Sequence, residues 1–481
     1  MSNNIGFVYP NSNHKHGDSE YCIVKSNDCK YLLVSGPDME MFNGSQINYN
    51  NASGKLCPLT VENAKAIRRV FDFTNPKSHK GPKITIGLGD RLGLASPGHI
   101  RAVRDHNVFP VLAQQSMREL DLTNRSYDDV LAAAVWAVFT EGYKKGYGAD
   151  GDHLKNSGEV KNAINCGFTM ITLDCSEHIR NELTYAGQDE VDAEYELLSK
   201  GQISDLEKQY LGKDFPINKD ITLSFNEKDF KRIVLLYQPV VAHAKKIYDE
   251  FIKGKNIDFE VSIDETLSTT SPEAHYFTAN ELISDNVQIS SLAPRFPGEF
   301  QKGIDYIGDI STFEKDFAVH AKIADTLGYR LSVHSGSDKF SVFPIVSKYA
   351  GAGGFHLKTA GTSWLEAVRV IARCAPALYR KLHIFALANL DRAKKYYHIT
   401  ENVKNIADIN SMPDEKLPLY LEQDDARRVL HITYGLILME KSENGTPLFR
   451  DELYNVLNKH ESDYYDALEK HIEKHLYYLG I

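Results

Sequence analysis

Residues 148 to 155 read G-A-D-G-D-H-L-K, a glycine-flanked segment that gathers two carboxylates, an imidazole and an ammonium group. Further along, H-S-G-S-D-K at 334 to 339 and F-H-L-K at 355 to 358 bring two more imidazoles, and I-D-E at 263 to 265 brings two more carboxylates. Imidazole nitrogens and carboxylate oxygens form a donor set for a divalent cation such as zinc, manganese, nickel or cobalt, with water or substrate oxygens completing the shell. A carboxylate held beside that cation can remove a proton from a substrate hydroxyl. The candidate ligands are His153, Glu265, His334 and His356; Asp152 is the candidate base, with Glu141 and Asp174 as alternative carboxylates. Strand alternation lets one of Asp264 and Glu265 face such a site. Each residue also has an ordinary use: D-G-D is good turn chemistry, and a single His or Lys is commonly hydrogen-bonded or solvated.

Eight β-prone runs are available to carry these groups: 84–90, 109–115, 147–152, 168–174, 259–265, 287–292, 330–335 and 355–359. Helical stretches separate them, as in Ser126 to Tyr143, where a Ser cap and early Asp residues precede apolar residues at helical spacing. Alternating βα units, eight in number, predict an α/β fold of the (β/α)8 TIM-barrel type. We expect the barrel over 81–380, with a helical insertion around 180–255, a β-rich N-terminal cap over 1–80 and a C-terminal helical extension over 381–481. Such barrels place their sites at the C-terminal ends of the strands. Here those ends carry Asp90-Arg91, Gln114-Gln115, Asp152-His153, Asp174, Asp264-Glu265 and His334-Ser335, with His356 and Lys358 in the last run. Arg91, Gln114, Lys155, Ser335, Asp338 and Lys358 are the candidate substrate contacts, offering cationic or hydrogen-bonding groups to an anionic ligand.

The chain has 481 residues, 42% hydrophobic and 25% charged, with a formal net charge of -10. That supports a large core and argues against nucleic acid or an anionic membrane as the partner. A small-molecule substrate is expected, and homo-oligomerisation stays open. Six scattered cysteines without a C-x-x-C pair, no signal-like N-terminus and no long apolar run predict a cytoplasmic protein. G-L-G-D-R-L-G at 87 to 93 is one residue too long for the dinucleotide fingerprint, and Pro97 follows early in the next helix.

Taken together, G-L-G-D-R-L-G-L-A-S-P-G-H-I-R-A (87–102), A-Q-Q-S-M-R-E-L (113–120), G-A-D-G-D-H-L-K (148–155), S-V-H-S-G-S-D-K-F-S-V-F-P-I (332–345) and F-H-L-K-T-A-G-T-S-W-L-E-A-V-R (355–369) resemble the tagaturonate epimerases of bacterial hexuronate catabolism. The resemblance runs from about residue 80 to 375. It implies interconversion of D-tagaturonate and D-fructuronate; related enzymes act on tagatose and fructose, so the substrate is a ketouronate or ketohexose. A more distant similarity to class II metal-dependent aldolases implies that Asp152-His153 is a base and metal-ligand pair and that H-S-G-S contributes a further ligand. The two uronates differ at a carbinol whose C–H the ketone does not acidify. Retro-aldol cleavage to an enediolate and tartronate semialdehyde, rotation of the aldehyde and re-addition would invert it, with the cation as Lewis acid. The alternatives are an aldolase that releases its fragments and a non-catalytic sugar-acid binding protein.

Overall fold

The computed structural model describes residues 6–26, 28–49, 52–79, 83–350, 353–359 and 361–481. Its centre is a closed parallel barrel of eight strands in sequential order: β1 Ile84–Leu88, β2 Phe109–Ser116, β3 Gly148–Leu154, β4 Met170–Asp174, β5 Asp258–Ser262, β6 Ser291–Ala293, β7 Arg330–Val333 and β8 Phe355–Thr359. β8 closes on β1 in register, Phe355 beside Ile84 through Thr359 beside Leu88. All eight expected runs became strands. The sixth is shorter and later than its apolar run suggested.

Period-two patterning explains both faces of the barrel wall. In F-H-L-K-T the apolar Phe355 and Leu357 join the main hydrophobic core, and in D-F-E-V-S so do Phe259 and Val261. Alternation then turns His356, Lys358 and Glu260 toward the barrel axis. Such interiors are commonly filled by branched apolar side chains. This one is lined by buried polar groups: Thr85, Gln114, Asp150, Thr172, Glu260, Ser291, His356 and Lys358.

An antiparallel sheet forms the N-terminal cap, with Ser19–Ser26, Cys29–Ser35, Ala52–Pro58 and Ser45–Tyr49 as its main strands. The connection between β4 and β5 holds helices Gln188–Glu196, Lys200–Tyr210 and Glu227–Ile247. It also holds a two-stranded ribbon, Asp214–Pro216 with Thr222–Ser224, that the sequence reading did not anticipate. The C-terminal extension is helical and packs on Thr362–Cys374 through a second core containing Trp364, Leu382, Leu430 and Leu468. The two ends of the chain meet. Tyr9 donates to Glu461 at 2.7 Å, Lys25 to the Asn458 carbonyl at 2.8 Å and Lys30 to Tyr465 at 2.6 Å. No helix among the described residues is long and apolar enough to cross a membrane, and all six cysteines are free.

Candidate active site

The D-G-D-H segment is a strand, not a turn. Asp150 and Asp152 point inward two residues apart, while Gly151 faces out, where a Cβ would lie 2.9 Å from Leu154 Cδ1 and 3.0 Å from Ala163 Cβ. Alternation should turn His153 away from the axis. Instead β3 carries one extra residue: Gly151 pairs with Ile171 and Leu154 with Leu173, so three steps on β3 oppose two on β4. This is a β-bulge, and His153 sits at φ 53° within it. The left-handed backbone costs about 1–3 kcal/mol, the usual expense of strain stored at a site. Its effect is to bring the ring to the same face as Asp152, with Nε2 3.8 Å from Asp152 Oδ1 and the ring centroid 4.9 Å from that of His334.

Beneath this pair lies a buried ionic knot. Lys358 Nζ reaches Asp152 Oδ1 at 2.7 Å, Asp150 Oδ2 at 2.9 Å and Glu260 Oε1 at 3.0 Å, and also donates to Thr172 Oγ1. Burial pushes the Asp152 carboxyl up, but the Lys358 ammonium, with His153 and His334, outweighs it and holds Asp152 below the usual carboxylate range. Burial wins at Asp150, raised to about 6 despite Lys358. Glu260 also receives His334 Nε2–H at 2.8 Å, and His334 Nδ1 lies 3.3 Å from Asp264 Oδ2. Burial lowers the proton affinity of His334, but the Asp264 and Glu260 carboxylates raise it to about 10.

A group suited to a cation stands at the rim. His153, Asp174 and Glu265 each offer one ligand atom, all within 4.8 Å of one another. The buried Nδ1 atoms of His153 and His334 lack a well-aligned hydrogen bond among the described residues. Six carboxylates, of Asp150, Asp152, Asp174, Glu260, Asp264 and Glu265, face Lys358, Lys155 and His334, so the donor set and the charge both fit a divalent cation. Strand alternation does not decide between Asp264 and Glu265, because β5 ends at Ser262 and the loop beyond turns both toward the site.

Other expected residues lie elsewhere. His356 sits lower in the barrel, its Nδ1 2.6 Å from Thr85 Oγ1 and its ring 6.1 Å from that of His79. Glu141 is away from the strand ends altogether, at the end of helix Tyr127–Glu141, where its carboxylate joins Arg101 at 3.0 Å and Arg104 at 3.2 Å. Asp338 is turned into the C-terminal extension, 2.9 Å from Arg427 Nη2 and 3.3 Å from His471 Nε2. Lys358 spends its three N–H donors on Asp150, Asp152 and Thr172 inside the barrel, with Glu260 at 3.0 Å, so it organises carboxylates rather than reaching for a ligand. Lys155 leans outward to Glu177 at 3.0 Å, with Asp174 at 3.7 Å. The Gln114 amide hangs over Gly87, where any Cβ would strike it, and makes no hydrogen bond among the described residues. Ser335, at φ 50°, accepts from Lys302 at 2.8 Å. Arg91 lies buried at the rim, its Nε and Nη2 on Glu119 Oε1 at 3.0 and 2.9 Å.

Asp150, Thr172 and Glu260 escaped the sequence reading, although each lies an even number of residues from a strand-end polar group and so shares its face, while Asp264 stood there as the alternative to Glu265. Lys302 comes from a loop and the buried His431 from helix Asp424–Ile432 of the extension, where no strand-end pattern points to the mouth.

A family model described as tagaturonate epimerase matches residues 9–479. The tagaturonate/fructuronate epimerase of Thermotoga maritima is 37% identical over 475 residues, 98% of this chain and 96% of that protein. The native crystal structure of the fructuronate-tagaturonate epimerase from Cohnella laeviribosi superposes with a TM-score of 0.96 at 49% identity, covering 98% of this chain and 96% of the other. Its complex with two glycerols gives 0.95 at the same identity, over 99% and 97%.

Proposed function

The chain belongs to the tagaturonate epimerase family, a family of carbohydrate epimerases, and from that premise we propose that it interconverts D-tagaturonate and D-fructuronate by cleaving and re-forming one carbon–carbon bond. The observation that carries this reading is the Asp152-His153 bulge, which sets a carboxylate and an imidazole side by side at the barrel mouth.

Asp152 is the base. Of the three carboxylates on Lys358 its side chain is 8% exposed, against 0% for Asp150 and Glu260, so it is the one that substrate can meet. Lys358 keeps it ionised at neutral pH, ready to accept a proton. The hydroxyl proton at C4 passes to Asp152, the O–H electron pair becomes the carbonyl of tartronate semialdehyde, the C3–C4 bond breaks, and its pair enters the enediolate formed from C1 to C3. Rotation of the aldehyde presents its other face, the enediolate re-forms C3–C4, and Asp152 returns the proton to the new alkoxide. His153, Asp174 and Glu265, with His334 and Asp264 beside them, would hold a divalent cation. Such a cation supplies Lewis-acid stabilisation of the negative oxygen at C2. His334 would surrender its proton as the cation binds.

The test is deuterium at C4 of D-tagaturonate. Cleavage leaves that C–H bond intact, so turnover should show no primary isotope effect and a carbonyl trap should capture tartronate semialdehyde. A primary effect, or reduced nicotinamide in a single turnover, would overturn the route.

A further inference from the structure

The carboxylate-rich side of the mouth has a counterpart of opposite sign, built by the segments after β1, β6, β7 and β8 and by the C-terminal extension. Glu119 holds two nitrogens of Arg91, and the guanidinium lies 3.7 Å over the Tyr434 ring. The third nitrogen, Nη1, is buried and has no hydrogen-bond partner among the described residues. His431, 1% exposed, has neither ring nitrogen bonded among the described residues. Two glycines frame it: a Cβ at Gly303 would lie 2.9 Å from its Nδ1, and one at Gly361 would lie 2.3 Å from its Nε2. The same point at Gly361 is 2.6 Å from Arg91 Nη1, so two unsatisfied polar groups converge there. Gly361, at φ 87°, is the N-cap of helix Thr362–Cys374 and gives it no side-chain cap, which leaves the positive end of the helix dipole at this spot.

Charge around the point is in excess. Lys302 donates to Ser335 and forms no ion pair among the described residues; Lys339 is buried against the carbonyls of Gln301, Ile304 and Ser337. Buried cations without a carboxylate are costly, and an arriving anion would relieve them. Gly361 follows Lys358 by three residues, so the seat is within roughly 10 Å along the chain of the lysine that holds Asp152.

We propose that Arg91 Nη1, His431 and the N-terminus of helix Thr362–Cys374 seat the carboxylate of the ketouronate, with Lys302 adding long-range attraction. This rests on the epimerase reading and deepens it: the acid end is anchored opposite the cation-binding side, the C4 hydroxyl lies toward Asp152, and the three-carbon aldehyde stays tethered by its own carboxylate while it rotates. His431 donates one N–H as a neutral ring, since burial, with Arg91 and Lys302, holds its proton affinity far below the ordinary value.

The experiment compares two unreactive six-carbon probes, D-galactonate and its neutral counterpart galactitol, by calorimetric titration of the whole enzyme. Arg91→Met is made together with Glu119→Gln, so that no buried carboxylate is stranded, and His431→Phe is made separately. Wild type should prefer the acid, and either variant should lose about 30-fold or more in galactonate affinity while galactitol changes by less than about threefold, as expected when one buried charge-assisted contact is removed. Equal loss for both probes, or a wild type indifferent to charge, overturns the seat. Wild-type turnover of D-tagaturonate is measured alongside, so a failure of the epimerase reading is seen independently of these affinities.

Discussion

Replacing Lys358 by Met tests whether the ionic knot is a structural unit. The ammonium is 3% exposed and lies within 3.0 Å of three carboxylates, two of them wholly buried. Removing one partner of a buried ion pair costs about 3–5 kcal/mol because the remaining charge stays desolvated. Unfolding entropy of about 2.1 cal/mol/K per residue makes the chain worth about 1 kcal/mol per degree, so the melting midpoint should fall by only about 3–5 °C if the molecule melts as one unit. Scanning calorimetry resolves that shift, and the cycle with Asp150→Asn makes it specific: the double variant should recover part of the loss, since one stranded carboxylate has become a neutral amide. A Lys358→Met protein that melts within about 1 °C of wild type, or an Asp150→Asn change that adds its full cost on top, would refute the assignment of Lys358 as the hub.

Asp152→Asn keeps shape and removes basicity, so kcat should fall about 100-fold or more at temperatures where the variant is fully folded, and near-normal turnover would place the base elsewhere. Metal analysis of His153→Ala and His334→Ala should show reduced bound cation and chelator should abolish turnover; full occupancy in both variants would remove them from the ligand set. Glu141→Gln should leave kcat and KM unchanged while lowering stability by about 1–3 kcal/mol, because it loosens Arg101 and Arg104 far from the mouth. His471 and His475 are pressed to about 4 by burial, below the ordinary value near 6.5. The unfolded chain therefore takes up protons first as pH falls, and their contribution is complete above about pH 6.5 and declines toward pH 4. Urea midpoints measured from pH 7.5 to 4.5 should follow that decline, and pairing His471→Asn with His475→Asn should make it shallower, the remainder coming from other histidines that burial holds low, among them His79, His99 and His383.

What was legible in the sequence follows from period. Eight strands alternate apolar outward residues with polar inward ones, and that pattern located Asp152, His334 and Lys358 at or near the mouth, while His153 was reached only by its place at a strand end. The same rule, followed two residues inward from Asp152 and four from Asp264, would have reached Asp150 and Glu260. It misled wherever the backbone leaves the strand: the bulge turns His153 against its parity, and the loop after Ser262 lets Asp264 and Glu265 both face the site. Glu141 looked available because a helix-terminal glutamate says nothing of its neighbours, and Arg101 and Arg104 claim it. His431 lies some 70 residues past the last strand, and only the folded extension carries it over the barrel.

The meeting of the chain's two ends has a consequence for the protein's synthesis. The cap is made first, yet Tyr9, Lys25 and Lys30 find their partners on residues 458 to 465. At about 5–20 residues per second the ribosome delivers that last helix roughly 20 to 90 s after the cap has emerged. Throughout that interval the cap's docking face stays bare, and for most of it the barrel mouth lacks His431 and the Tyr434 ring beneath Arg91. Contacts this distant in sequence also form slowly once all parts are present. A nascent chain stalled before residue 431 would hold all eight barrel strands with no finished site, and its uncovered cap would be the surface for a chaperone to shield.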